Sequence, residues 1–245
     1  MNKKTKLYAL GDKFLNSLMA DNIISLSKLE EMVKSHQKIN QTNYDIYFGQ
    51  GVNLVKVFSL LNFVKKTGLS RKYNFIIDKK FTKVDKLLTH KHKIENVMIS
   101  EPCLIDIDTY ESDLFIDDRC SEMSDHVTGQ HIQGMVLIEA ARQMTIAVSE
   151  KFIIEATRRD KLNFVTNSLE ARFNHFIFPF EVKITCKINK IRGFKDNKNF
   201  DLTVNFVQNN IIAAEFRYIF SSFFYEVLEE RQNEQAKKLI QYICE

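Results

Sequence analysis

Apolar residues recur at helical spacing through residues 5–38, with Leu15, Leu18 and Met19 followed by Ile24, Leu26 and Leu29, and this predicts one or two helices. YDIYF (44–48) then reads as a short strand, broken by Gly49-Gln50-Gly51. Residues 52–66 return to helical spacing, with Leu54, Val57, Phe58, Leu61 and Val64 on one face, and Gly68 ends that helix. Residues 73–77 form a second strand candidate, so this region predicts a small β-α-β-like unit. From about residue 88 the pattern changes. Residues 103–108 and 114–117 are short strand candidates, and a loop over 118–133 runs into residues 134–153, apolar almost all round. A helix of that kind is buried. Strand patterns follow. Val182, Ile184, Cys186 and Ile188 alternate with Lys183, Thr185 and Lys187; Leu202, Val204 and Phe206 alternate with Asp201, Thr203 and Asn205; and 212–224 is one long apolar run. Asn209-Asn210 stands where a hairpin must turn, and Asn tolerates left-handed backbone. Residues 225–244 predict a charged, largely solvated helix. The periodicity gives an α+β fold, with an antiparallel sheet following a buried helix.

The buried helix carries one cluster of polar exceptions, Glu139, Arg142 and Gln143. Spacings of three and four residues put them on one face of one turn. A charge on a buried helix is costly unless it is paired, hydrated or used. The loop before it holds Asp125, His126 and His131, and His126 has the intrinsic pKa for proton exchange near neutrality. Two readings stand for this set: His126 and Glu139 as an acid–base pair, with burial raising the Glu139 pKa so that it holds or donates a proton, or His126 as a loop cap and Glu139 as an internal partner of Arg142. Arg142 either binds a phosphate or carboxylate of a substrate or neutralises Glu139. Gly134, at the helix start, either leaves backbone N–H groups open to a carbonyl oxygen or only permits close packing. His131 is expected to shape the loop, and His90, His92 and His175 to be structural or exposed.

The stretch DHVTGQHIQGMVLIEAARQM (125–144) resembles the A-factor biosynthesis hotdog family (AfsA-like), through Asp125-His126, Gly134-Met135, Leu137 and Glu139-Ala140-Ala141-Arg142-Gln143. It is more distantly similar to 3-hydroxyacyl-carrier-protein dehydratases, but lacks their loop prolines, and its His126-to-Glu139 spacing is one residue shorter. A weaker match begins at HKHKIENVMIS (90–100); the N-terminal third is not covered. The resemblance implies a hotdog domain over 88–226, a small α/β extension over 1–87, and a C-terminal helix over 227–245. It implies His126 and Glu139 as catalytic residues, and Asp125, Gly134, Arg142 and Gln143 as substrate-binding ones. The implied reaction moves a β-ketoacyl group from acyl carrier protein to dihydroxyacetone phosphate or a similar hydroxyl acceptor, in the manner of butyrolactone-signal synthases. The alternatives are a dehydratase or thioesterase acting on an acyl carrier protein or CoA thioester, or a non-catalytic acyl-binding protein. No second motif of this kind exists in the chain, so two copies are expected to pair as a homodimer.

Composition narrows this little further. At 44% hydrophobic and 27% charged, the 245 residues supply an ordinary globular core. A net charge of +4 is too weak a bias to argue nucleic-acid binding. Cys103, Cys120, Cys186 and Cys244 show no ligand spacing, so reduced thiols are expected, with no metal and no cofactor. Neither a signal peptide nor a long apolar span is legible, which predicts a cytoplasmic protein without membrane contact. Gly49-Gln50-Gly51 lacks the rest of a phosphate-binding motif.

Overall fold

The computed structural model describes residues 4–14, 20–35, 42–77, 82–124, 129–159, 161–194 and 197–244. Asp125 and His126 therefore lie outside the described residues.

The N-terminal part is a parallel four-stranded sheet. It comprises β1 (Thr5–Leu10), β2 (Ile23–Ser25), β3 (Tyr44–Phe48) and β4 (Tyr73–Phe75) in the order β2-β1-β3-β4. Residues 5–10, expected to be helical, are instead one of its two inner strands. Strands of a parallel sheet carry apolar residues on both faces, so Leu7, Ala9 and Leu10 are all buried and the period of two is lost. Helix α1 (Leu26–Lys34) starts where the Ser25 hydroxyl accepts from Lys28 N at 2.9 Å. Helix α2 (Leu54–Lys66) is capped in the same way by Asn53. The face that α2 buries is Val57, Leu60 and Val64, whereas Phe58 stays 43% exposed.

The larger part holds β5 (Cys103–Asp106), β6 (Thr109–Asp113), α3 (Ser121–Ser124), α4 (Gly134–Val148), β7 (Leu162–Phe173), β8 (Lys183–Phe194), β9 (Asn197–Gln208) and β10 (Ile211–Phe224). Its sheet is antiparallel in the order β5-β6-β8-β9-β10-β7. Helix α4 runs on through a π-helical turn at Ser149–Ile153, filling the 134–153 span predicted from sequence. Val136, Ala140, Met144 and Ala147 share one core with Ile184, Val204 and Phe216 of the sheet. This is the hotdog arrangement. Asn209 and Asn210 have φ of 52° and 62°, the two left-handed residues of a type I′ hairpin. Helix α5 (Tyr225–Cys244) buries no residue. Among the described residues, no helix is long and apolar enough to cross a membrane.

Residues 114–117, expected as a strand, form only one bridge, Ile99 to Leu114. Their backbone is used to hold the two parts of the chain together. The buried Gln50 side chain donates to Leu114 O at 2.8 Å and Phe180 O at 3.1 Å, and accepts from Ile116 N at 2.8 Å. Gly51 N donates to Ile116 O, and Gln50 N to Pro179 O. The Gly49-Gln50-Gly51 turn thus spends its amides on carbonyls rather than on any phosphate. The approach is close: a Cβ on Gly49 would lie 2.2 Å from Pro179 O. The cores also interlock. Phe14 is buried in the hotdog core, and Phe115 is buried in the core of the parallel sheet.

Candidate active site

Helix α4 positions the polar cluster, and other segments complete it. Glu139 receives a two-pronged contact from Arg142, with Nε to Oε2 and Nη2 to Oε1, both at 2.8 Å. Gln143 Nε2 donates to Glu139 Oε1 at 3.0 Å, and Lys91 Nζ lies 2.8 Å from the same oxygen. Lys91 also reaches Glu122 of α3 at 2.6 Å. Glu122 in turn accepts from the Cys120 thiol at 3.2 Å. The result is a string of alternating charge, Glu122–Lys91–Glu139–Arg142, running from α3 to α4.

Opposing influences act on the Glu139 carboxyl. Burial is the largest single influence and raises its pKa. The hydrogen bonds and charge of Arg142, together with Lys91 and Gln143, outweigh it and hold the carboxyl at about 2. Of the two readings open from sequence, the contacts match the one that pairs Glu139 internally with Arg142, and they pull its pKa down rather than up. Burial likewise opposes the charge on Lys91, but Glu122 and Glu139 keep its pKa above the ordinary lysine value. The Tyr218 hydroxyl, donating to Ile138 O at 2.7 Å, packs beside this group, and its pKa is raised first by burial and then by Glu139.

Of the residues singled out from sequence, Glu139, Arg142 and Gln143 converge. Arg142 spends its fork on Glu139. Gln143, fully buried, accepts from Met98 N at 2.8 Å and donates to Asn96 O at 2.9 Å, tying α4 to the segment before β5. Gly134 stands apart, at the start of α4, where its N-cap Gln133 makes no side-chain capping bond. There a cleft of about 190 Å³ is lined by Gly134, Leu137, His131, Phe173, His175 and Phe176. The His131 ring lies 4.7 Å from that of Phe176. A Cβ on Gly134 would come within 3.0 Å of the Phe173 ring, so a larger residue at this helix start would press on that exposed ring.

Sequence reasoning missed two contributors. Lys91 and Glu122 reach the cluster from segments with no periodic signal; His175, exposed as expected, also lines the cleft. Their one sequence-level sign is that Lys91 lies in HKHKIENVMIS and Glu122 shortly before Asp125. Among the described residues, no group of three or more His, Cys, Asp or Glu is arranged to hold a metal ion.

Several solved structures are similar to part of the chain. A conserved protein from Pseudomonas aeruginosa is 12% identical, over 57% of this chain and 100% of its own, with a TM-score of 0.39. A thioesterase from Haemophilus influenzae is 14% identical, over 61% of this chain and 96% of its own, with a TM-score of 0.39. A mutant thioesterase from Pseudomonas aeruginosa is 10% identical, over 60% of this chain and 99% of its own, with a TM-score of 0.40. No curated protein matches. Residues 76–222 match the AfsA family, the A-factor biosynthesis hotdog domain. That span takes in all of the six-stranded sheet but the last two residues of β10, together with α4 and the whole charged string from Lys91 to Arg142, and on it the chain belongs to the AfsA family of hotdog domains.

Proposed function

We propose that this protein transfers a β-ketoacyl group from an acyl carrier protein thioester to the hydroxyl of dihydroxyacetone phosphate or a similar acceptor, in the cytoplasm. The observation that supports this reading is the hold of two cations on Glu139, whose carboxyl receives the Arg142 fork and the Lys91 ammonium. Dehydration of a 3-hydroxyacyl thioester needs an acid to protonate the departing hydroxide, and a carboxyl held at about pKa 2 is the wrong group for that. Acyl transfer needs a base and a stabilised oxyanion. In the proposed step His126 takes the acceptor's hydroxyl proton, and the Glu139 carboxylate favours the resulting imidazolium. The alkoxide oxygen bonds to the thioester carbon, whose oxygen faces the amides at the start of α4. The carbon–sulfur bond then breaks, and the proton passes to the thiolate. We assign this chemistry to residues 88–226, with 1–87 as a supporting unit and 227–245 as an appended helix.

Intact-mass analysis after incubation with β-ketoacyl, 3-hydroxyacyl and saturated acyl carrier-protein thioesters, with and without dihydroxyacetone phosphate, tests the reading. The expected result is loss of the β-ketoacyl group from its carrier only when the acceptor is present. Loss of the acyl group without acceptor would make the protein a thioesterase, loss of water from the 3-hydroxyacyl thioester a dehydratase, and no change in any arm an acyl-binding protein. Gly134→Ala is expected to leave the fold intact, because Phe173 is 52% exposed and can swing aside, while lowering turnover by about a hundredfold.

The partner besides the thioester is a second copy. β7 is an edge strand, paired only to β10, and residues 166–173 are exposed, with Leu169 and Phe173 among them. A long edge with apolar side chains invites pairing. Light scattering should give twice the 28.7 kDa chain mass at micromolar concentration; a monomer there would remove this part of the reading.

A further inference from the structure

Arg142 cannot by itself hold Glu139 in place relative to anything outside α4, because it sits on the same helix three residues away. Lys91 can. It comes from the segment ahead of β5 and lies between two carboxylates on two different helices, 2.6 Å from Glu122 of α3 and 2.8 Å from Glu139 of α4. Its own backbone is held on both sides. Lys91 N donates to Lys86 O at 2.9 Å. The preceding residue, His90, has a φ of 54°, a conformation rare outside glycine, and its Nε2 lies 3.0 Å from Glu150 Oε1 in the π-helical turn. The chain at 90–91 is therefore fastened to the α4 rod at two points about three turns apart, through His90 at Glu150 and Lys91 at Glu139. A lysine anchored in this way is only 15% exposed at its side chain, so little water competes for its ammonium.

We propose that Lys91 is a positioning residue for the reaction: it clasps α3 to α4 and fixes the direction in which the Glu139 carboxylate presents its lone pairs. The assignment rests on the acyl-transfer reading above. Lys91 need not touch substrate; it acts through Glu139. The charged and titratable groups facing Glu139 are Arg142 on its own helix, Lys91 from the segment before β5, Tyr218 from β10 and, through Lys91, Glu122 of α3. Of these, only Lys91 both donates to Glu139 and ties it to another helix. The depressed Glu139 pKa agrees with this contact, since Lys91 is among its causes.

The test is a pair of substitutions, Lys91→Met and Lys91→Arg, read by kcat and KM across pH and by carboxyl-carbon NMR titration of Glu139, assigned with Glu139→Gln. Lys91→Met is expected to lower kcat by about a hundredfold, the usual cost of misplacing a reacting group by an ångström, with KM unchanged within about twofold. The Glu139 carboxyl should titrate at higher pH than in the unsubstituted protein. Lys91→Arg keeps the charge and should recover most of both. Unchanged kcat and an unshifted Glu139 titration in Lys91→Met would overturn the proposal. So would a loss in Lys91→Met that accompanies a lowered Tm and is not recovered by arginine, since Lys91 would then be a structural contact only. If the unsubstituted protein moves no acyl group, the acyl-transfer reading fails, and the NMR titration still decides the clasp: a shift in Lys91→Met supports it, and no shift removes it.

Discussion

Replacing Glu139 with glutamine is expected to lower turnover by about two to four powers of ten, and His126→Ala to do the same, with each protein still folded. Glutamine keeps the shape and one acceptor oxygen of Glu139 but removes the charge that Arg142 and Lys91 converge on. The pH dependence of stability should change in a defined direction. The folded-state pKa of Glu139 lies below its ordinary value of 4.5, at about 2. The stabilisation this represents is complete above about pH 4.5 and is lost as pH falls toward 2. Glu139→Gln should flatten that acid-side loss. Arg142→Ala should lower Tm more than Glu139→Gln does, because a carboxylate with 17% exposure is left with Lys91 as its one cationic partner among the described residues. Melting curves recorded beside kinetics separate these effects. If both the His126 and Glu139 variants keep full activity on every thioester tested, the motif is a packing signature and the catalytic assignment is wrong.

Phe115→Ala is expected to be the most destabilising single substitution in the chain, costing about 3–5 kcal/mol, or roughly 6–20 °C in Tm for a domain of this size. Phe115 is 1% exposed and lies not in the hotdog core, which holds its neighbours Leu114 and Ile116, but in the core of the parallel sheet, with the Lys83 ammonium 5.4 Å from its ring centroid. Deleting the ring leaves a cavity in the core of the parallel sheet next to the junction with the hotdog part. Calorimetry reads the cost directly. A loss under about 1 kcal/mol would show that the two cores do not depend on one another in this way.

The long periodic elements of this fold were legible from sequence. α4 and the β8-β9-β10 meander each repeat one pattern over many residues, and Asn209-Asn210 marks its hairpin by a backbone conformation few residues accept. β1 was misread because burial on both faces erases alternation. β6, written Thr-Tyr-Glu-Ser-Asp, has too little apolar character to signal a strand, and the outer half of β7 is exposed. The site divides in the same way. Glu139, Arg142 and Gln143 share one helical face, so spacing alone groups them. Lys91 joins them through tertiary structure, and with the Arg142 fork it opposes the upward pull of burial on the Glu139 pKa. His131 and His175 come together only because β7 and the loop before α4 end at the same rim.

The exchange of Phe14 for Phe115 also bears on the order in which the protein matures on the ribosome. The parallel sheet is synthesised first, and its central pairing joins residues 39 apart in sequence, Thr5 to Tyr44. Its core, however, stays incomplete until Phe115 emerges, and the crevice at the carboxyl ends of β1 and β3 stays unfilled until residues 114–116 and 179–180 arrive to meet Gln50 and Gly51. In doubly wound sheets that crevice is where a ligand binds. Here the nascent N-terminal unit waits for a segment of its own chain in that place, and its final consolidation is coupled to the closing of the hotdog sheet.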